Sequence, residues 1–255
     1  MGRDGNALTT PTPHPSLPDY ETLGGEVPVL HAPRLSERAR EIQEHLAHGS
    51  RVLSEILAVE PPQLTAMLVA DEDWPTAPRE TARPYPPGLP YFTRSVEPPA
   101  LVLPEELSLI FQPRTAATFP LAVWHELAHA FLLGREVVRT PVWLGELVPQ
   151  AAAVAVARRS ELPIEEHLAR IEDEPGFTVR SFGGRTSTGD QMTFQNLLLG
   201  FGAAALDEFG ESFLKNIVHA LWGATDVVDG MRAEELLAGA LGSGGEEWLS
   251  SRPEF

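Results

Sequence analysis

His125, Glu126 and His129 stand in the order H-E-x-x-H, inside a stretch from Phe119 to Leu133 whose only acid is Glu126 and which holds no Lys or Arg. Residues four apart on a helix lie about 40° apart around the axis and about 6 Å along it. Two imidazoles so placed converge on one metal ion. The Glu next to the first His then points to the flank of the metal, where a bound water sits. The set offers two ligands and a general base within about one turn and a half. The chemistry it suits is hydrolysis by a zinc-activated water. The plainer alternative, a pair of core histidines beside a salt-bridged Glu, leaves an apolar helix carrying three costly polar groups.

A helix must present this motif. Pro120 suits a first turn, where its missing N–H costs nothing. Thr115 or Thr118 is placed to cap the start and Gly134 to end it. The third ligand must come from elsewhere. A metzincin would place Gly three residues after the second His and His three further on, but Leu132 and Arg135 occupy those positions. Downstream, residues Pro141 to Ala157 read as a second apolar helix with one acid, Glu146. Pro149 is tolerated in a first turn, which sets Glu146 at the helix entrance. A lone carboxylate ahead of an Ala/Val-rich helix needs a buried partner. Zinc would be that partner, in a His2Glu set with an open fourth position.

On these residues the chain resembles the gluzincins, the zinc peptidase superfamily that includes thermolysin and the zinc aminopeptidases. The resemblance rests on His125, Glu126 and His129, and on Trp143-Leu144-Gly145-Glu146, which is similar to the W-L-x-E helix start of aminopeptidase-like members. It implies an α+β fold, with a small mixed sheet before the motif helix and a mostly helical part after it. It implies one zinc ion on His125, His129 and Glu146, with Glu126 as the base, and a peptide or small amide as substrate. It also implies an edge strand beside the site that pairs with extended substrate, for which Tyr91, Phe92 and Thr93 are candidates. The G-x-M-E-N string that binds the substrate amine in aminopeptidases is absent, and Gln191–Gly200 and Asp207–Leu214 hold no Tyr to steady an oxyanion. Gln195, His219, Arg180, Arg185 and Tyr91 are the candidates for oxyanion or substrate contact. Two other readings stay open: a zinc-stabilised binding or scaffold module with little turnover, and a hydrolase of a non-peptide amide.

The remaining chain supplies the frame. Residues 1–33, rich in Pro, Thr and Gly, read as a flexible leader with solvated His14 and His31. Residues 34–242 read as one catalytic domain. Within it, 34–59 is amphipathic and helical, with Leu35, Ala39, Ile42, Leu46, Leu53, Ile56 and Leu57 at spacings of three and four, and a candidate break at Gly49-Ser50. His45 and His48 read as a solvated helix face rather than a metal pair. Residues 60–134 hold a strand at Leu64–Ala70, a loop over 71–90, strands at Tyr91–Thr93 and Ala100–Leu103, and the motif helix. Residues 135–242 are mainly helical, near 144–159, 163–172, 191–209, 211–222 and 231–241. The loop over 173–190 carries Arg180 and Arg185, and its length suits a functional loop. Residues 243–255 read as a loose tail with Trp248 able to dock.

Composition excludes more than it assigns. With 19 basic and 36 acidic residues the net charge is −17, which argues against nucleic acid and anionic membrane as partners. No Cys is present, so a metal site must use N and O ligands. The N-terminal residues lack the apolar core of a secretory signal, and no apolar run reaches transmembrane length. Cytoplasmic residence is the resulting expectation.

Overall fold

The computed structural model describes residues 17, 19–81, 85–133, 138–171, 176–183 and 188–255. Three apolar runs form its inner strands: β2 (Val29–His31), β3 (Thr65–Val69) and β5 (Ala100–Pro104). Their side chains are buried almost throughout, as befits strands covered on both faces. The edges are β1 (Glu21–Leu23) and β4 (Tyr91–Thr93), giving the order β1-β2-β3-β5-β4. β2–β3 and β3–β5 are parallel, whereas β1–β2 and β4–β5 are antiparallel. This is the expected small mixed sheet of an α+β fold, and β4 is an edge strand.

Two strands fall where a flexible leader was expected. β2 pairs with β3, a partner far along the chain, and β1 pairs with β2, which supplies the backbone hydrogen bonds a leader would lack. His31, expected to be solvated, is buried, with Nδ1 2.9 Å from the Ala32 carbonyl oxygen. His14 lies outside the described residues.

α1 (Ser36–Leu57) runs unbroken through Gly49-Ser50. Gly49 is a contact point rather than a break: a Cβ there would stand 2.5 Å from Cδ1 of Trp124. Trp124 is fully buried and donates from Nε1 to the His45 carbonyl oxygen at 2.8 Å. The rings of His45 and His48 border the same indole, with centroids 5.7 and 6.0 Å away, in place of the solvated face expected for them. Trp124 thus fastens α2 (Thr118–Leu133) to α1.

α3 (Val142–Arg158) has Ala151 to Ala157 all buried, so its second half forms the centre of the helical part. It packs against α2 on one side and α5 (Thr188–Phe209) on the other. The α3–α5 approach is close. A Cβ on Gly202 would lie 2.9 Å from the Ala151 Cβ. The one-turn α4 (Ile164–Leu168) lies between α3 and α5 in the chain. α6 (Ser212–Gly223), α7 (Gly230–Leu241) and α8 (Gly245–Ser251) follow. α8 occupies the span read as a loose tail. Trp248 packs on Phe201 and Phe209, and Phe255 on Phe201 and Trp143, so apolar burial orders the segment. Among the described residues no helix is long and apolar enough to cross a membrane.

Candidate metal centre

One face of α2 carries Thr118, Leu121, Ala122, His125, His129 and Leu133 at helical spacing, and this face floors a cavity of about 340 Å³. The Nε2 atoms of His125 and His129 stand 3.0 Å apart, with the rings edge to face. Glu146 on α3 closes the group. Its Oε2 is 3.3 Å from His125 Nε2, and its Oε1 is 3.7 Å from His129 Nε2. One ligand atom from each residue lies within 4.8 Å of the other two, a group able to hold a metal ion.

Glu146 is the fifth residue of α3 and Pro149 the eighth, so the proline sits inside the helix and not in its first turn. It removes the N–H that the Gly145 carbonyl would otherwise receive, at a cost of about 3 kcal/mol in an isolated helix. Buried Trp143, Leu144, Leu147 and Val148 hold the segment helical, and tertiary packing overrides the local preference.

Electrostatics bind the group together. Burial would raise the Glu146 carboxyl, but the His129 and His125 rings outweigh it and hold it well below the ordinary carboxylate range. Burial would lower His129, but the Glu146 charge reverses that and raises it. Glu126 stands apart from this set. It is buried, and burial pushes its pKa up against the lowering influence of the two rings and of the Phe92 backbone N–H on β4. The second nitrogen of His125, Nδ1, is buried without a partner among the described residues.

The cavity walls are neutral polar and apolar. Tyr85, Tyr91 and Phe92 form one side, with Ile110, Phe111 and Gln112 beside them. Tyr85 stacks on Tyr91 with ring centroids 4.2 Å apart. The lining also carries the carboxamides of Gln150, Gln191, Gln195 and Asn196, and Gln150 donates from Nε2 to Gln195 Oε1. His167 of α4 completes the lining.

Of the residues singled out in the sequence, His125, Glu126, His129, Glu146, Gln195 and Tyr91 meet at this cavity. Tyr91 contributes its ring, because its hydroxyl donates to the Pro78 carbonyl oxygen at 3.0 Å. Phe92 lines the cavity, whereas Thr93 is buried and donates to Ser95 Oγ. His219 lines a separate pocket with Phe131 and Trp222, its Nε2 3.1 Å from the Leu57 carbonyl oxygen. Arg180 lines a third, where it donates to Glu234 and to the Phe255 carbonyl. Arg185 and Gly134 lie outside the described residues. Sequence reasoning missed Gln150, Gln191, Asn196, Tyr85 and His167. Gln150 sits four residues after Glu146, and Gln191 four before Gln195, so helical spacing pointed to both. Tyr85 in a loop and His167 on a single turn carried no periodic signal.

No protein-family model matches the chain, and no curated protein matches it. Solved structures do. Native yeast LTA4 hydrolase superposes with a TM-score of 0.57 at 13% identity, over 92% of this chain and 38% of that one. The yeast enzyme in complex with bestatin gives the same TM-score, identity and coverage. A native leukotriene A4 hydrolase from Saccharomyces cerevisiae gives 0.56 at 12% identity, again over 92% of this chain and 38% of that one. The chain therefore spans 38% of the length of these neighbours, and what it shares with them at such identity is the fold.

Proposed function

We propose that this chain is a zinc-dependent hydrolase of the gluzincin type, cleaving a peptide or amide bond. The observation that carries the reading is the convergence of His125, His129 and Glu146. A tetrahedral zinc with ligands at 2.0–2.1 Å needs donor atoms about 3.3–3.4 Å apart. The two nitrogens are 3.0 Å apart, and the Glu146 carboxylate comes within 3.3 Å of one through Oε2 and 3.7 Å of the other through Oε1, close to that figure. Two nitrogens and a carboxylate oxygen also form a donor set suited to zinc, with room for a fourth ligand in the cavity. The fold shared with yeast LTA4 hydrolase supports the same reading.

Bound zinc would supply Lewis acidity at this point of the cavity. The chain's own groups do the rest. The Glu126 carboxylate accepts the proton of the attacking water and returns it to the leaving amine. Its burial raises its proton affinity, which favours that role. The outer edge of β4 offers backbone groups to an extended substrate. Gln195, held by Gln150, supports the substrate carbonyl from the α5 side.

The test is Glu126→Gln, assayed on an unbiased peptide library together with metal analysis. The variant should keep about one zinc per chain and lose about 10²- to 10⁴-fold in hydrolysis. Undiminished activity in Glu126→Gln would remove Glu126 from the mechanism.

A further inference from the structure

His167 is 3% exposed and lines the cavity, yet it is neither a metal ligand nor part of the Gln150–Gln195 pair. Its Nδ1 lies 2.8 Å from Thr115 Oγ1. Among the described residues the ring's hydrogen bond is the one through Nδ1, which leaves Nε2 for the cavity. The direction of the Thr115 bond decides what Nε2 offers to the cavity.

A threonine hydroxyl has one proton to donate and two lone pairs to accept with. Thr115 Oγ1 accepts the Ala117 N–H at 3.2 Å, which uses one lone pair. The neighbouring Thr118 hydroxyl is occupied on both sides: it accepts the Thr115 N–H at 2.8 Å and donates to the Pro113 carbonyl at 2.8 Å. The only acceptor left for the Thr115 proton among the described residues is His167 Nδ1. Were Nδ1 itself protonated, the partly buried hydroxyl would have no protein acceptor for its proton among the described residues. The pairing that satisfies both groups within the protein puts the ring proton on Nε2, as a donor to the cavity. Burial and the nearby Arg170 charge lower its pKa and keep it neutral at pH 7.

This donor stands off from the metal centre. Thr118, on the cavity face of α2 next to Thr115, precedes His125 by seven residues, about 10 Å along the helix axis. An extended chain covers that distance in about three residues.

We propose that His167 is a specificity-determining residue, donating from Nε2 to a backbone carbonyl oxygen of a bound peptide about three residues from the bond at the metal centre. The substrate is then an extended peptide rather than a compact amide. This rests on the hydrolase reading above and narrows it.

Two measurements on the full zinc-loaded chain test the proposal. Nitrogen NMR of histidine-labelled protein should find His167 in its Nε2-protonated form, and Thr115→Val should release it to a tautomer mixture. Calorimetry with acetohydroxamate, and with peptide hydroxamates of one to four residues built out on either side, should show affinity rising about tenfold when the chain becomes long enough to reach His167. That step should vanish in His167→Phe and return in His167→Gln, whose amide N–H replaces the ring donor. Zinc content and acetohydroxamate affinity should stay the same in all of them. An Nδ1-protonated ring, or an equal length step in His167→Phe, overturns the proposal and leaves the hydrolase reading standing. Failure of acetohydroxamate to bind the wild-type chain overturns both.

Discussion

The two sides of the cavity are built on different physical terms. On the α2–α3 side, two imidazoles and a carboxylate crowd together; the Glu146 charge raises His129, and the rings hold Glu146 low. That side rests on fully buried Trp124, Leu127 and Leu144. The rest of the lining comes from a strand edge, loops, a one-turn helix, α5 and Gln150 of α3, with neutral carboxamides, phenols and one imidazole. A charged buried cluster is unforgiving: removing one member leaves a buried charge without compensation. Neutral groups near a cavity are exchangeable at small cost to folding. Under the proposed hydrolase reading, the first set would fix the geometry of the reaction and the second would set the choice of substrate.

Predictions that test this contrast run from large to small. Stripping metal with a chelator should lower the melting temperature by about 10 °C, since saturating metal at about 1,000 times Kd is worth about 4 kcal/mol and each kcal/mol moves a chain of this size by about 2–4 °C. A chelator-insensitive melting temperature would show that the charged side is not held by metal. Gly202→Val should cost about 1–3 kcal/mol in urea unfolding, because α5 must shift away from Ala151, carrying Gln195 with it. Hydrolysis should fall alongside, with metal content unchanged. Gln195→Ala should alter stability by less than about 1 kcal/mol while lowering turnover by about tenfold. A loss of metal in that variant would erase the distinction between the two sides.

The smallest effect is in pH. Burial holds His45 and His167 below the ordinary histidine value. As the pH falls below about 6.5 the unfolded chain takes up these protons first, so stability declines from there down to the folded-state pKa and is unaffected above. Melting temperature should be lower at pH 5.5 than at pH 7.5, and His167→Gln should lessen the difference. An unchanged profile in His167→Gln would mean that His167 titrates as it does in the unfolded chain.

How much of this could be read in the sequence follows the same division. His125, Glu126 and His129 were legible because helix geometry alone converts their spacing into convergence. Glu146 was legible as the single acid of an apolar helix, although Pro149 misplaced the helix start. β3, β4 and β5 announced themselves as apolar runs between proline-rich turns. β1 and β2, three residues each in a stretch containing Gly24, Gly25 and Pro28, owe their order to pairing with β3, which no local pattern records. α8 depends in the same way on Phe201 and Phe209 reaching Trp248. The variable side of the cavity was mostly hidden. Tyr85 and His167 reach it from an irregular segment and a one-turn helix, and they meet partners such as Tyr91 and Thr115 that lie close in space but not in any sequence period.

His125, His129 and Glu146 are proposed to hold one zinc ion together. The direct measurement is metal content by mass spectrometry of the purified wild-type chain beside Glu146→Ala. The account predicts about one zinc per wild-type chain and a loss of metal in the variant. A wild-type chain that takes up no zinc, or a Glu146→Ala chain that keeps its full complement, would contradict it.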